Sequence, residues 1–241
     1  MTMYPDSSSN ARRLELEYGT DDKVVFNFFN AVYAWMAVGL GVTAAVAFGV
    51  SQSPALLKFL YANKFLYVAM LLGAWGIAMA VQSVAARISA TAATAMFVLY
   101  AAVIGAIISF IFVVYPISTI VGAFVMTGGT FGVMSVYGFV TKRDLSGFGS
   151  FLIMGAIGLF LASIVNVFLA SNAFSWLITY AVLGVFVGLT AYDTQRLKKL
   201  AQDHAHDANI ASRLAIVGSL VLYISFINMF MSILRILGNR R

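Results

Sequence analysis

A chain of 241 residues that is 61% hydrophobic and only 10% charged, with a mean hydropathy of +0.92, lies well outside the balance of a soluble globular domain. Its net charge of +6 comes from fifteen basic residues dispersed through connections and ends, with no basic stripe carrying interleaved aromatics, so no nucleic-acid partner is expected. Cysteine is absent, which removes disulfides, thiolate catalysis and thiolate metal sites.

What remains is an all-α polytopic membrane protein whose main partner is the lipid bilayer. At roughly 20 apolar residues per span, the chain accommodates seven transmembrane helices with short connections. Residues 1–25 read as a polar, flexible N-terminal tail. They hold Asp6, Arg12, Arg13, Glu15 and Glu17 before any apolar run, and lack the basic, apolar and small-residue order of a cleavable signal. Residues 26–241 then form a single transmembrane domain.

Apolar segments follow near 28–50, 66–85, 92–113, 117–140, 150–169, 174–196 and 213–236. Each is continuously apolar, without the alternation of a lipid-facing strand, so helices are expected and not a barrel. The uncharged block 88–141 is 54 residues long, too many for one span. Pro116 disfavours helix at Tyr115 and suits the start of the next helix, which predicts a tight hairpin there. Ser171 and Asn172 mark a similar turn. Gly128 and Gly132, Gly155 and Gly158, and Gly184 and Gly188 have spacings that predict close helix packing within the bundle. No internal repeat points to a transporter with inverted halves.

With seven alternating spans, one side of the chain carries 10 Lys and Arg and the other carries 5, which places the N-terminus in the cytoplasm. The C-terminus then emerges outside. Arg235, Arg240 and Arg241 argue for a second topology, in which the final segment re-enters without crossing.

Asp193 closes an uncharged stretch of 48 residues, 145–192. Holding an ionised acid beside that much hydrocarbon is costly, so such a residue is read first as a functional group facing protein or a water-filled cavity. A solvated acid at a helix end, or a counter-ion for Arg196, Lys198 or Arg87, explains it equally well. Thr190 lies one turn earlier on the same face. On the last span, Ser225, Asn228, Ser232 and Arg235 share one face, while Tyr223, Phe226, Ile227, Met229 and Phe230 fill the other directions. That composition suits a central helix, with its polar face either a packing seam or a permeation path.

His204 and His206 in the Asp203–Asp207 connection do not have the spacing of a closed zinc site. Asp144 and Ser146 read as helix-start residues. No nucleophile elbow, phosphate-binding Gly-Lys motif or helical His pair is present, so no enzymatic activity is expected.

Thr141-Lys142-Arg143-Asp144-Leu145-Ser146, the segment from Thr190 to Lys199, Phe226-Ile227-Asn228-Met229-Phe230, and Thr130 to Gly138 together resemble the Bax inhibitor family of membrane proteins, in the same order as in that family. The resemblance implies a seven-helix bundle with the last helix at its centre, calcium leak across the membrane, and links to stress response and cell-death control. The short loops resemble a bacterial member, which implies the inner membrane. It also implies no cofactor, with calcium as the permeant ion. Asp193 matches the first of two aspartates that pair as a pH-responsive gate in relatives, whereas Ser225 stands where the second would fall. Arg87 resembles the basic partner of the first aspartate. Two neighbouring carboxylates share a proton, but a carboxylate and a hydroxyl offer one titrating group. Any calcium site at Asp193 and Ser225 is therefore expected to be weak and hydrated. The alternative function is a non-conducting regulator that binds other membrane proteins in stress response or quality control.

Overall fold

The computed structural model describes the backbone of residues 7–84, 89–204 and 208–239 and the side chains of 23–81, 89–204 and 210–239. Nine helices follow one another among the described residues: α1 (Ser7–Ser51), α2 (Pro54–Tyr61), α3 (Lys64–Val84), α4 (Ala90–Ile108), α5 (Ile111–Val114), α6 (Ile117–Val140), α7 (Ser146–Leu169), α8 (Asn172–Asp203) and α9 (Ala208–Gly238). Among the described residues, seven segments are long and apolar enough to cross a membrane, with α4 and α5 counted as one crossing. They coincide with the seven runs expected from sequence.

The connections follow from local chemistry. Pro116 lies at the N-cap of α6, directly after Tyr115 in extended conformation, as the proline rule requires. Ala170 ends α7 in the left-handed conformation, and the Ser171 hydroxyl accepts a hydrogen bond from the Phe174 N–H at the start of α8. Ser53 caps α2 in the same way, with Pro54 in its first turn.

Two features depart from the sequence reading. The short helix α2 precedes the second span, and the third apolar run breaks at Ser109 and Phe110. A break inside an apolar segment exposes carbonyls that lipid cannot satisfy. Here the Tyr61 hydroxyl of α2 lies 2.6 Å from the Ile107 carbonyl and 3.1 Å from that of Ala106. The Ser109 hydroxyl donates to the same Ala106 carbonyl at 2.8 Å.

α9 occupies the centre, packed against α8, α1, α6, α4 and α3. Tyr223 is fully buried there. Its hydroxyl hydrogen-bonds Thr43 of α1 at 2.5 Å, and its ring meets Phe97 and Tyr100 of α4 edge-on. Phe226 lies against Phe124 and Phe131 of α6, also edge-on. α9 is one uninterrupted helix of 31 residues, about 46 Å long at 1.5 Å per residue. That length spans the hydrocarbon core of about 30 Å, so the final segment has the form of a full crossing and not of a re-entrant loop.

The predicted close-packing glycines are corrected in part. A side-chain carbon at Gly128, Gly132, Gly158 or Gly184 would meet nothing within 4 Å among the described residues. Close approach does occur at the predicted Gly188, against Leu152, and also at Gly138, where a side-chain carbon would run into the Ala191 backbone, at Gly149 against the Tyr192 ring, and at Gly218 against Leu197. Spacing alone does not say which side of a helix the glycines occupy.

Candidate functional site

α8 reaches Asp193 with close neighbours on three sides. Ala191 lies against Gly138 of α6, Tyr192 against Gly149 of α7, and the Thr194 hydroxyl 3.3 Å from that of Ser135 on α6. Leu197, one turn beyond Asp193, packs on Gly218 of α9. Residues four apart share a helical face, so Asp193 points with Leu197 towards α9. Its side chain is buried, with 7% exposure.

The antiparallel register follows from the Leu197–Gly218 contact. Asp193 is level with about residue 222 of α9, and Thr190 with Ser225, which lies about 4.5 Å deeper than Asp193 along the axis. Thr190 and Ser225 are both buried. The structure therefore brings Asp193, Thr190 and Ser225 onto one α8–α9 seam. No hydrogen bond or ion pair joins Asp193 to Ser225 among the described residues.

Three of the seam's other polar groups bond within their own helices. The Thr190 hydroxyl donates to the Phe186 carbonyl at 2.8 Å, the Asn228 amide to Ile224 at 2.8 Å, and Ser232 to the Asn228 carbonyl at 2.9 Å. Such back-bonding satisfies a hydroxyl or amide in an apolar interior without a partner helix. Asn228 is half-buried and Ser232 buried.

Of the cations considered as partners for Asp193, Arg196 is exposed. Lys198 is turned to α6, with its ammonium 3.0 Å from the Phe139 carbonyl and 4.5 Å from the centre of the Phe139 ring. Arg87 and His206 lie outside the described residues. The ring Nδ1 of His204 is 3.1 Å from the Leu200 carbonyl. Among the described residues no three His, Asp or Glu side chains form a cluster. Asp193 could thus offer a cation one carboxylate, supplemented by hydroxyls and carbonyls.

Gln195 was not a candidate from sequence, yet it ties the site to the neighbouring connection. Its amide oxygen accepts from the Leu145 N–H at 2.9 Å and its amide nitrogen donates to the Arg143 carbonyl at 2.8 Å. Asp144 accepts from the Ser146 N–H and hydroxyl at 3.2 and 2.7 Å, as its reading as a helix-start residue implies. It also pairs with Lys199 at 3.2 Å. The Ser146 hydroxyl and Lys199 hold the exposed Asp144 carboxyl below its ordinary value of 3.8. The segments 141–146 and 190–199, singled out separately in the sequence, are joined by these bonds.

A bundle of seven apolar helices, six of them around the central last one, with Asp193 buried on its inner seam, defines a polytopic helical membrane protein. Residues 25–241 match the sequence model of the family described as "Inhibitor of apoptosis-promoting Bax1", and the chain belongs to that Bax inhibitor family. It is 44% identical over 211 residues to the "Inner membrane protein YbhL" of Escherichia coli (strain K12), covering 87% of this chain and 90% of that protein. It is 40% identical over 214 residues to an uncharacterized protein of Borreliella burgdorferi, covering 89% of this chain and 92% of the relative. An uncharacterized membrane protein of Streptococcus pyogenes, SpyM3_0260, is 33% identical over 223 residues, covering 92% and 96% of the two chains. Family, apolar spans and the Escherichia coli relative together describe a multi-pass inner-membrane protein.

Proposed function

We propose that this protein is a calcium-permeable leak channel of the inner membrane, with its N-terminus in the cytoplasm. Asp193 attracts the ion or controls closure at the cytoplasmic end of the α8–α9 seam, and α9 forms the plug. The observation that carries the reading is the position of Asp193, a buried carboxylate on the face of α8 turned to the central helix. A charged group in that setting marks a path or relay in membrane proteins.

Calcium favours six to eight oxygen ligands. One carboxylate with the hydroxyls of Thr190 and Ser225 falls short of that, which suits an ion that must leave again more than one that is stored. Transport, not catalysis, is the activity, and the links of the family to stress and cell-death control extend to this chain under the same proposal.

Calcium uptake into liposomes holding the purified protein tests it. Flux should fall for Asp193→Asn, and unchanged flux across a pH series would remove Asp193 from the mechanism. Ser225→Asp should add a second pH step to the one Asp193 gives the parent, because it supplies a second titrating group.

A non-conducting regulator that binds other membrane proteins is the second reading. It is favoured by Gly128 and Gly132, which leave part of the α6 surface open beside exposed Val121, Val125 and Val136. Capture of one defined partner, lost in Gly128→Leu while the liposomes stay calcium-tight with and without the substitution, would establish it instead.

A further inference from the structure

Asp193 has a counterpart of opposite sign at the far end of the same seam. All nine acidic side chains precede Lys23 or fall between 144 and 207, and the seven-span topology puts none of them at the extracytoplasmic end. That end carries Lys58, Lys64, Arg235, Arg240 and Arg241. Lys58 and Lys64 are exposed, whereas Arg235 is half-buried between α9 and α8.

The Arg235 guanidinium is held by neutral groups. Its Nη1 donates to the Thr179 hydroxyl at 3.1 Å and approaches the Ser175 carbonyl at 3.4 Å, and its central carbon stands 5.0 Å from the centre of the Trp176 ring. Among the described residues it makes no ion pair. Thr179 lies three turns before Thr190 on the same side of α8, and Arg235 follows Ser225, Asn228 and Ser232 on one side of α9. Thr179 precedes Asp193 by 14 residues, about 21 Å along α8. One seam therefore has a carboxylate near one end and, near the other, a guanidinium without an ion pair among the described residues.

We infer that Arg235 is the extracytoplasmic barrier of the α8–α9 seam, where its charge excludes divalent cations while Thr179, Ser175 and Trp176 hold it in place. The inference rests on the calcium-leak reading. Its physical basis is that a like charge in a poorly solvated passage is screened far less than one in water. An arginine that merely anchors α9 beside an interfacial tryptophan would give the same contacts, so the test must separate charge from anchorage.

Calcium uptake should rise about tenfold for Arg235→Gln, a change equivalent to about 1.4 kcal/mol, because glutamine can still reach Thr179 but carries no charge. Arg235→Lys keeps the charge without the planar stack and should stay near the parent rate. The absence of cysteine permits a second measurement on one protein sample. Arg235→Cys should leak, a cationic alkylthiosulfonate should restore the low rate, and a neutral reagent of similar size should not.

Equal flux for Arg235→Gln and the parent, or equal closure by the cationic and neutral reagents, would overturn the inference. If parent flux depends on Asp193 and ignores Arg235, only the barrier fails. If the parent and every variant, including Arg235→Gln, are calcium-tight, the leak reading fails with it.

Discussion

α7 and α9 are apolar enough to be indistinguishable as membrane spans, yet they occupy opposite environments. Only 6% of the most apolar window of α7 is buried inside the protein, against 67% for α9. α7 turns Phe148, Phe151, Met154, Leu161 and Val165 outwards, while α9 buries Leu220, Leu222, Tyr223, Met229 and Leu234. Lipid is as apolar as a leucine side chain, so hydrophobicity does not decide which helix goes inside. Polar content is the better guide: α9 carries Ser219, Ser225, Asn228, Ser232 and Arg235 at spacings that fall within the bundle.

The comparison predicts unequal responses to similar changes. Tyr223→Ala removes a ring packed against two aromatics and the Thr43 bond, and should cost about 3–5 kcal/mol, whereas Phe151→Ala on α7 should stay within about 0.5 kcal/mol. Thermal unfolding of both variants in the same detergent would check this, and equal losses would refute the assignment of inside and outside. Gly138→Ala must push α6 off the Ala191 backbone and should cost about 1–3 kcal/mol. Gly158→Ala faces open space on α7 and should be neutral or stabilising by up to about 1 kcal/mol.

A smaller effect is expected from Tyr61→Phe, which strips the hydroxyl from the Ile107 carbonyl and should cost about 1 kcal/mol, read as a lowered midpoint of unfolding. The smallest concerns Asp144. Its carboxyl is held below 3.8 in the folded protein, so its contribution is present above that pH and is lost as pH falls through the folded value. The group is exposed, so Asp144→Asn should lower the midpoint only slightly at neutral pH and leave no difference from the parent in strong acid. A deficit that persists there would point to a role other than charge.

Much of this arrangement is legible in the chain because span length and hairpin chemistry are local. Seven runs, the turn at Pro116 and the cap at Ser171 each depend on neighbours in sequence. The burial of α9 was legible too, through its polar stripe. The break at Ser109 was not, because the group that satisfies its carbonyls is Tyr61, 48 residues earlier. The Gln195 bonds were hidden for the same reason, since glutamine near a helix end gives no hint of a partner some 50 residues away. At the candidate site, sequence marked Asp193, Thr190 and Ser225 but not their exact register. The Leu197–Gly218 contact puts Thr190 level with Ser225 and Asp193 about one turn away.

The Gln195 amide also bears on how the chain is made. Its partners, Arg143 and Leu145, leave the ribosome long before it does, and all three precede α9 in synthesis. Domains and their parts take shape from the N-terminus onwards during translation. The α7–α8 hairpin can thus be clasped to the end of α6 while the last helix is still untranslated. The helix with the least lipid contact then arrives to find its socket already assembled, and insertion of α9 becomes the step that completes the protein.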